Sequence, residues 1–357
     1  MYRERIKKLQ AYLAKERLDG FIVTAMPHIQ YLCGFTGSTG ILIVQQKKAF
    51  FLTDFRYQEQ SKKQVKGAKT IITKKAVYSE LKDLTQFNTK NTRYGFEADQ
   101  IICSDLETIE NAFDEAILIA TTGVFELFSI IKDKKELEMI EKAVEISDIA
   151  FERILSIIKP GVRENEVAAE LEYQMKMLGS EKPAFETIIA SGFRSAMPHG
   201  IASNKKIALG DFVTLDFGAT YKGYVSDITR TIVVGNANAK QKKIYNTVLK
   251  AQKAGVKRVR PGAETSKIDA ACRNIIDKAG YKKYFGHGTG HGIGLLIHTE
   301  PRIGPTTTGK VKKGMIFTVE PGIYLPGWGG VRIEDDVLVT STGVKVLNSA
   351  PKNLLEL

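Results

Sequence analysis

Hydrophobic and polar positions alternate between two kinds of segment in the first third of the chain. Amphipathic helical stretches are predicted at the start and near residues 56–66 and 103–113. Short apolar runs lie between them, at residues 20–25, 41–44, 49–53, 70–73 and 116–120. Short strands that alternate with helices predict an α/β domain with a mixed sheet.

The pattern changes between residues 121 and 132, where a charged helix begins. We therefore expect a domain boundary there, with domains spanning residues 1–125 and 126–357. A chain of 357 residues fits two domains better than one. Its composition, 43% hydrophobic and 26% charged, is typical of a globular protein.

The second region contains an internal duplication. Each half begins with two helices of apolar residues at helical spacing. The first helix stops at Pro160-Gly161 in one half and at Pro261-Gly262 in the other, 101 residues later. The second helix ends at Gly179 and again at Gly280, also 101 residues apart. This constant offset indicates a repeated structural unit.

The strands repeat as well. GDFVTLDFG aligns with GMIFTVEPG at an offset of 104 residues, which sets Asp216 opposite Glu320. After a turn, a second predicted strand carries another carboxylate, Asp227 in one half and Glu334 in the other. Such a repeat would pack as two halves about a pseudo-twofold axis, with the sheets meeting in the middle and the helices outside.

Four carboxylates in apolar strands need partners, because burying an unpaired charge is costly. Internal ion pairs would satisfy them, but only Arg230 and Arg332 lie in the same strands. Metal ions are the better explanation, since carboxylates bind divalent cations.

Histidines strengthen the metal hypothesis. Three of the five in the chain, His287, His291 and His298, fall in the stretch GHGTGHGIGLLIHTEPR, and His199 lies in the turn MPHG. The glycines allow close backbone approach, and residues 295–297 are predicted to form a strand. Carboxylates with one or two imidazoles suit two divalent ions. Manganese, cobalt, iron and zinc all accept such ligands.

Two such ions can share a water that ionises near neutral pH and attacks a carbonyl. Histidines that are not ligands could then stabilise the developing oxyanion or orient a substrate. The pattern therefore favours metal-dependent hydrolysis.

Charge and cysteine usage restrict the setting. The net charge is +12, but the lysines are scattered and are not interleaved with aromatic residues, so no nucleic-acid partner is expected. Three widely spaced cysteines match no metal or disulfide pattern and fit a reduced, cytoplasmic compartment. The charged first helix is not a signal peptide, and no apolar run is long enough for a membrane span.

Several motifs resemble the pita-bread metallopeptidases: LDFGATYKGYVSDITRT, HGTGHGIGLLIHTEPR, FTVEPGIY and GGVRIEDD. They are most similar to the proline-specific branch, which comprises Xaa-Pro dipeptidase (prolidase) and aminopeptidase P. YLCGFTGSTG and FLTDFRYQEQ resemble the N-terminal domain of that branch. The resemblance implies an α+β fold, in which an N-terminal α/β domain of the creatinase/prolidase type precedes a duplicated pita-bread catalytic domain.

The resemblance also implies roles for individual residues. The metal ligands would be Asp216, Asp227, His291, Glu320 and Glu334, with Asp227 and Glu334 bridging two ions. Glu320 would also move the proton of the attacking water, and His199 and His298 would stabilise the tetrahedral intermediate. The substrate would be bound by Phe185, His287, Ile297, Arg302 and Arg332, with Thr229 as a hydrogen-bond partner behind the ligands. Arg332 could instead hold a ligand.

The implied function is metal-dependent cleavage of Xaa-Pro bonds in dipeptides or short peptides, by a homodimer. We favour a dipeptidase, and the close alternative is aminopeptidase P acting on longer peptides. Methionine aminopeptidase is disfavoured because it lacks the large N-terminal domain. A non-catalytic binding module and the metal-free hydrolase creatinase are disfavoured because all five ligand positions are intact.

Overall fold

A computed structural model describes all 357 residues of the chain. The chain forms two compact units, Met1–Phe128 and Ser129–Leu357. None of the helices combines the length and the hydrophobicity that crossing a bilayer requires.

The first unit is built on one mixed sheet. Its strands are β1 (Gly20–Val23), β2 (Ile41–Gln45), β3 (Ala49–Asp54), β4 (Lys69–Thr73), β5 (Arg93–Glu97) and β6 (Ile117–Thr121). They are ordered β4-β3-β2-β1-β5-β6. The β1-β2 and β2-β3 pairs are antiparallel, and the remaining pairs are parallel. The mixed sheet predicted from the alternating pattern is confirmed.

Helices connect these strands. They are α1 (Tyr2–Glu16), α2 (Met26–Cys33), α3 (Gln58–Gln64), α4 (Val77–Glu80), α5 (Cys103–Ala112) and α6 (Glu126–Ser129), with 3₁₀ turns at Phe55–Tyr57 and Leu81–Asp83. Apolar side chains from β1, β2, β3, β5 and α5, including Ile22, Ile43, Leu52, Phe96 and Ile109, form a buried core.

Strand β5 and helix α2 are among the elements of this unit that were not predicted. β5 is only five residues long and contains Gly95, where a Cβ would lie 2.8 Å from the Phe21 ring, so the close strand contact requires glycine. The predicted strand at residues 20–25 ends at Val23, and α2 follows. Pro27 lies in the first turn of α2, where its missing N–H has no cost.

The second unit contains four long helices: α7 (Lys134–Ile154), α8 (Glu164–Met177), α9 (Ala239–Arg258) and α10 (Thr265–Lys278). The strands of its first half are β7 (Ile188–Ser191), β8 (Phe212–Phe217), β9 (Thr220–Tyr221), β10 (Tyr224–Val225) and β11 (Ile228–Val233). β11, β8 and β7 form an antiparallel sheet in that order, and β9 pairs with β10.

The strands of the second half are β12 (Gly290–Gly292), β13 (Thr299–Ile303), β14 (Ile316–Val319), β15 (Gly322–Leu325), β16 (Gly329–Arg332), β17 (Asp335–Val339) and β18 (Val344–Val346). Five of them form a sheet ordered β13-β12-β14-β17-β18, and β15 pairs with β16. Short 3₁₀ helices at Gly192–Ala196 and Lys282–Tyr284 complete the unit.

The duplication is visible in the backbone. The pair α7 and α8 recurs as α9 and α10, and β8 and β14 occupy matching places. Gly179 follows α8 with φ 104°, and Gly280 follows α10 with φ 88°. Both conformations are left-handed, which favours glycine because it has no Cβ. The constant sequence offset therefore reflects equal backbone geometry in the two halves.

Each helix pair covers one sheet of the second unit. Helices α7 and α8 pack on β8 and β11 through buried residues such as Phe151, Leu171 and Leu215. Helices α9 and α10 pack on β14 and β17 through residues such as Val248 and Phe317. The two halves meet at β11, where backbone and side-chain hydrogen bonds reach the segment that joins β16 to β17.

Two local predictions are wrong. Residues 295–297 form bends rather than a strand, since the backbone turns between β12 and β13. The four carboxylates are not all inside strands: only Asp216 is, and Asp227, Glu320 and Glu334 lie immediately beside strand ends. Strand ends leave the side chains free to converge on one point, which side chains alternating along a continuous strand cannot do.

Candidate metal centre and active site

Four carboxylates and one imidazole converge where the halves of the second unit meet. Asp216 lies in β8 and Asp227 precedes β11, while Glu320 follows β14 and Glu334 joins β16 to β17. His291 is the central residue of β12. All five side chains line a single cavity. The duplication therefore brings two carboxylates from each half to one place.

The orientation of His291 indicates where a cation would lie. Its Nε2 is 3.5 Å from Glu320 Oε1 and 3.6 Å from Asp227 Oδ2. Its Nδ1 lies 3.3 Å from the carbonyl oxygen of Gly292, which can only accept, so Nδ1 carries the proton. Burial, with the nearby His298, lowers the pKa of His291 to about 3, so the ring is neutral. The lone pair of Nε2 therefore faces two carboxylates, an unfavourable arrangement unless a cation binds between them.

Unsatisfied oxygens support the same conclusion. Asp227, His291 and Glu334 each direct one ligand atom to within 4.8 Å of the others. Asp216 Oδ1 and Asp227 Oδ1 are buried and have no hydrogen-bond partner. Buried polar atoms without partners are costly, and a coordinated divalent cation would satisfy both. The residues present fit divalent metal ions.

The electrostatics of the cluster are those of crowded, buried acids. Burial raises the pKa of Asp227 well above its usual value, and the charges of Glu334 and Asp216 raise it further. Burial likewise raises the pKa of Glu334. It raises that of Glu320 to about 7, although Arg332 opposes this shift. Without metal, the cluster therefore keeps protons near neutral pH that free carboxylic acids lose near pH 4.

Stabilisation by metal should accordingly increase with pH. Raised carboxyl pKa values favour the metal-free folded state at low pH, and this advantage is lost as the pH rises through the folded-state values. A bound cation replaces the protons, so binding strengthens as they leave. We expect Mn²⁺ to raise the melting temperature, relative to a chelator-treated sample, by more at pH 8 than at pH 6. Equal increases in melting temperature at pH 6 and pH 8 would contradict the interpretation of these carboxylates as a metal site.

Arg332 is hydrogen-bonded within this group of converging side chains. It is buried, and its Nη2 donates to Asp216 Oδ2. Its Nε donates to Thr229 Oγ1 over 3.0 Å, and Thr229 Oγ1 donates to Glu334 Oε2 over 2.5 Å. Its Nη1 donates to the Tyr324 hydroxyl over 2.9 Å. All three guanidinium nitrogens are engaged by the protein, so the geometry favours a role in orienting ligands over one in binding a substrate carboxylate.

Replacing Arg332 with lysine should separate these roles. One ammonium group cannot satisfy three partners in a fixed fork geometry. We expect metal affinity to fall about 10- to 100-fold, as is typical when a partner of a metal ligand is lost, while KM at saturating metal changes little. Equilibrium dialysis and steady-state kinetics on the same preparation test this. A raised KM with unchanged metal affinity would instead assign Arg332 to the substrate.

The cavity has a volume of about 810 Å³, within the range of small-molecule sites. Besides the five converging side chains, it is lined by seven other residues predicted from sequence: Phe185, His199, His287, Ile297, His298, Arg302 and Arg332. Thr229 does not line it and lies behind Glu334. The ring centroids of His298 and His291 are 4.3 Å apart, and His199 is exposed at the cavity.

Comparison with known proteins identifies the family. A model of metallopeptidase family M24 matches residues 138–341, and a model of the creatinase/prolidase N-terminal domain matches residues 5–128. The chain belongs to metallopeptidase family M24. A Xaa-Pro dipeptidase of Pyrococcus furiosus is 41% identical to this M24 chain over 99% of its length and 100% of the relative's.

Solved structures agree. A structure titled as a Xaa-Pro dipeptidase from Bacillus anthracis matches with a TM-score of 0.95 and 44% identity, covering 100% of both chains. An X-Pro aminopeptidase from Thermotoga maritima matches with a TM-score of 0.91 and 34% identity, covering 99% of both. The α+β fold, with an N-terminal domain of the creatinase/prolidase type and a pita-bread catalytic domain, is confirmed.

His287 in this M24 chain has a defined protonation state. Its Nδ1 lies 2.7 Å from the carbonyl of Gly288 and must donate to it, so Nε2 accepts from the Tyr324 hydroxyl, 2.8 Å away. Burial and the charge of Arg332 lower the pKa of His287 to about 4. The ring of His287 is therefore neutral near neutral pH, with its Nε2 held by the Tyr324 hydroxyl.

Three residues of this M24 site were missed as site residues by sequence reasoning. Tyr324 lies in β15, close to the converging side chains. The preceding Pro321-Gly322 obscures the strand pattern of this segment in the sequence. Arg230 is fully buried, donates to the carbonyl of Glu334 and pairs with Asp335 over 2.8 Å. Asp336 accepts from the backbone N–H of Asp227 over 2.9 Å. The run Glu334-Asp335-Asp336 was the available signal, because alternate residues face opposite sides of a strand.

Proposed function

We propose that this M24 protein hydrolyses Xaa-Pro dipeptides with two divalent metal ions, for which Mn²⁺ is the expected metal. One observation carries the proposal: buried carboxylates, two of them with an oxygen that has no hydrogen-bond partner, converge with the lone pair of His291 in a cavity that also holds the unpaired guanidinium of Arg302. The relatives titled Xaa-Pro dipeptidase, at about 40% identity over nearly the whole chain, support the substrate class.

Asp216, Asp227, His291, Glu320 and Glu334 would hold the ions. When bound, the ions would polarise the scissile carbonyl and ease the ionisation of water. Asp227 and Glu334 come from different halves of the second unit, and each directs a carboxylate oxygen to within 4.8 Å of the other.

Protons are handled by the residues around this centre. Glu320 accepts the proton of the attacking water and delivers it to the prolyl nitrogen that leaves, since its carboxyl lines the cavity among the converging side chains. Burial and nearby Arg302 lower the pKa of His298, so its neutral ring offers an N–H donor to the developing oxyanion. His199 faces the same cavity and acts as a second donor.

Selectivity for proline is explained by the chemistry of the Xaa-Pro bond and by the apolar lining of the cavity. An Xaa-Pro amide has no N–H, and its ring fixes the backbone dihedral φ. Apolar side chains, among them Phe185 and Ile297, line the cavity and offer the ring an apolar surface. A site that needs no hydrogen bond from the scissile nitrogen can accept proline, and this apolar surface favours its ring.

Recognition of a free carboxylate separates a dipeptidase from an aminopeptidase. Three basic side chains of the cavity could bind such a carboxylate: Arg302, Arg332 and His298. Arg332 is engaged by Asp216, Thr229 and Tyr324, and the lowered pKa of His298 makes it neutral. Arg302 lines the cavity, is exposed, and its guanidinium makes no hydrogen bond or ion pair within the protein. Arg302 is therefore the group that binds the proline carboxylate.

Hydrolysis by metal-stripped protein with Mn²⁺ restored tests the proposal. The substrates are Met-Pro, Met-Ala and a tripeptide that begins Arg-Pro. We expect efficient release from Met-Pro, little from Met-Ala, and weaker action on the tripeptide. Release of arginine with little action on Met-Pro would assign an Xaa-Pro aminopeptidase instead. Equal cleavage of Met-Ala would refute the proline selectivity.

The metal-stripped protein without added metal is the control, and should cleave none of the three. Absence of hydrolysis despite measured metal binding would overturn the enzymatic proposal and favour a binding module.

A further inference from the structure

One loop of the second unit carries a large share of the cavity rim. It runs from the end of β7 to residue 203 and contributes Pro198, His199 and Ile201 to the cavity lining. The His199 ring is exposed and makes no hydrogen bond to the protein. Its position therefore depends on the backbone that carries it, since neither packing nor hydrogen bonding restrains the ring itself.

Both ends of this loop are fastened to one carboxylate. Glu164, the first residue of α8, is fully buried. Its Oε1 accepts from the backbone N–H of Ser191 over 2.7 Å and from the Ser191 hydroxyl over 2.8 Å. Its Oε2 accepts from the backbone N–H of Ser203 over 3.1 Å and from the Ser203 hydroxyl over 2.6 Å. Ser191 and Ser203 bracket the loop, so the carboxylate closes it.

A fifth donor comes from within the loop. Arg194 Nη1 pairs with Glu164 Oε2, and Arg194 Nη2 donates to the carbonyl of Ile201 over 2.8 Å. The backbone N–H of Met197 donates to the carbonyl of Arg194 over 2.8 Å. The Arg194 guanidinium thus links Glu164 to Ile201, so the loop is tied together before and after His199.

The carboxylate of Glu164 has no other evident task. An acid in the first turn of a helix often interacts with the helix N-terminus, yet the α8 terminus is served by Glu166, whose Oε2 accepts from the backbone N–H of Arg163 over 2.7 Å. Glu164 instead directs both oxygens to the loop. A buried carboxylate with five donors from one segment is a strong restraint, because hydrogen bonds to charged groups are about twice as strong as neutral ones.

We propose that Glu164 is a positioning residue that, through Ser191, Ser203 and Arg194, holds the loop so that His199 reaches the reacting carbonyl. The inference rests on the proposed function for its kinetic consequence, while the restraint on the loop stands on the contacts alone. Misplacing a group by about 1 Å can slow a reaction about 100-fold.

A double-mutant cycle tests the coupling between Glu164 and His199. Glu164→Gln keeps the size and removes the charge. We expect it to lower kcat for Met-Pro about 10- to 100-fold in the Mn²⁺-loaded wild-type background, and less than about 3-fold in a His199→Ala background, because coupled residues are not additive. Bound metal should stay unchanged, since no proposed ligand lies on the loop.

Glu170→Gln is the matched control. It lies on the same helix and accepts only from Gln174, so it should leave kcat unchanged. Equal losses in both backgrounds, or no loss from Glu164→Gln, would overturn the coupling. If Glu164→Gln fails to fold, Arg194→Gln removes the same ion pair from a less buried position.

Hydrogen exchange supplies a readout that does not require activity. In Glu164→Gln, the amides of Ser191, Ser203 and Met197 should exchange faster, and those of β8 should not. Unchanged exchange in the loop would refute the restraint even if activity fell. If wild-type protein does not cleave Met-Pro, the proposed function fails, and the exchange comparison still decides whether Glu164 holds the loop.

Discussion

Replacing Asp227 with asparagine should abolish hydrolysis and at the same time make the metal-free protein more stable. Loss of an anionic ligand removes charge stabilisation worth several kcal/mol, so we expect kcat/KM to fall about 1,000-fold or more. The stability gain has a separate cause. Burial and the charges of Glu334 and Asp216 hold the pKa of Asp227 well above its usual value, so ionised Asp227 destabilises the metal-free fold.

The sign of this effect depends on pH. A raised carboxyl pKa makes folding less favourable above the unfolded-state value, because the unfolded chain releases the proton more readily. Asparagine carries no proton to release, so the advantage of Asp227→Asn should appear at pH 8 and fade towards pH 4. Melting temperatures in chelator at the two pH values, together with hydrolysis assays in Mn²⁺, measure both halves of the prediction.

Asp83→Asn serves as the control for Asp227→Asn. Asp83 is exposed and pairs only with Lys75, so neither activity nor the melting temperature should change appreciably. A variant at position 227 that is less stable than wild type at pH 8 without metal would show that the carboxylate is not under electrostatic strain. Retained activity would remove Asp227 from the ligand set.

Replacing Arg302 with glutamine should lower the efficiency of dipeptide hydrolysis without altering the bond-breaking step. A hydrogen bond to a charged group contributes about 1.5–3 kcal/mol, so kcat/KM for Met-Pro should fall about 10- to 150-fold. The amide Met-Pro-NH₂ lacks the carboxylate and should lose less than about 3-fold. The comparison of the two substrates isolates the carboxylate contact from any general effect on the site.

Two further variants make this test sharper. Arg302→Lys keeps the charge but not the fork geometry, and should retain part of the preference for the free carboxylate. Arg260→Gln removes an exposed arginine away from the cavity lining and should change neither substrate. Equal losses on Met-Pro and its amide in Arg302→Gln would show that Arg302 does not read the carboxylate.

Much of the fold was predictable because its signals are local. Gly179 lies just beyond the end of α8, and glycine with a left-handed backbone recurs at the matching turn of the second half. Helix α7 ends earlier than predicted, at Ile154 rather than at Pro160-Gly161. β5 and α2 were missed because a five-residue strand around Gly95 and a helix that starts with Met26-Pro27 carry little periodic signal. Tertiary contacts, such as the Phe21 ring over Gly95, decide these elements.

The candidate site was predictable in its composition but not in its connections. Repeated carboxylates and clustered histidines predicted which side chains would carry chemistry, and the structure places them in one cavity. The sequence did not reveal that Arg332 is held by Tyr324 as well as by Asp216, or that Glu164 closes a loop whose ends lie 12 residues apart. These contacts are long-range hydrogen bonds, which the spacing of hydrophobic and polar residues along the chain does not predict.

The duplicated architecture also bears on ancestry. A symmetric dimer of one such half would present the same four carboxylates across its twofold axis, two from each copy. Residues unique to one half, such as His291 and Tyr324, would then occur twice and crowd the axis. Joining the two copies in one gene removes that constraint, since each half can mutate alone. The asymmetry of the present site, with aspartates from one half and glutamates with His291 from the other, is what such a fusion permits.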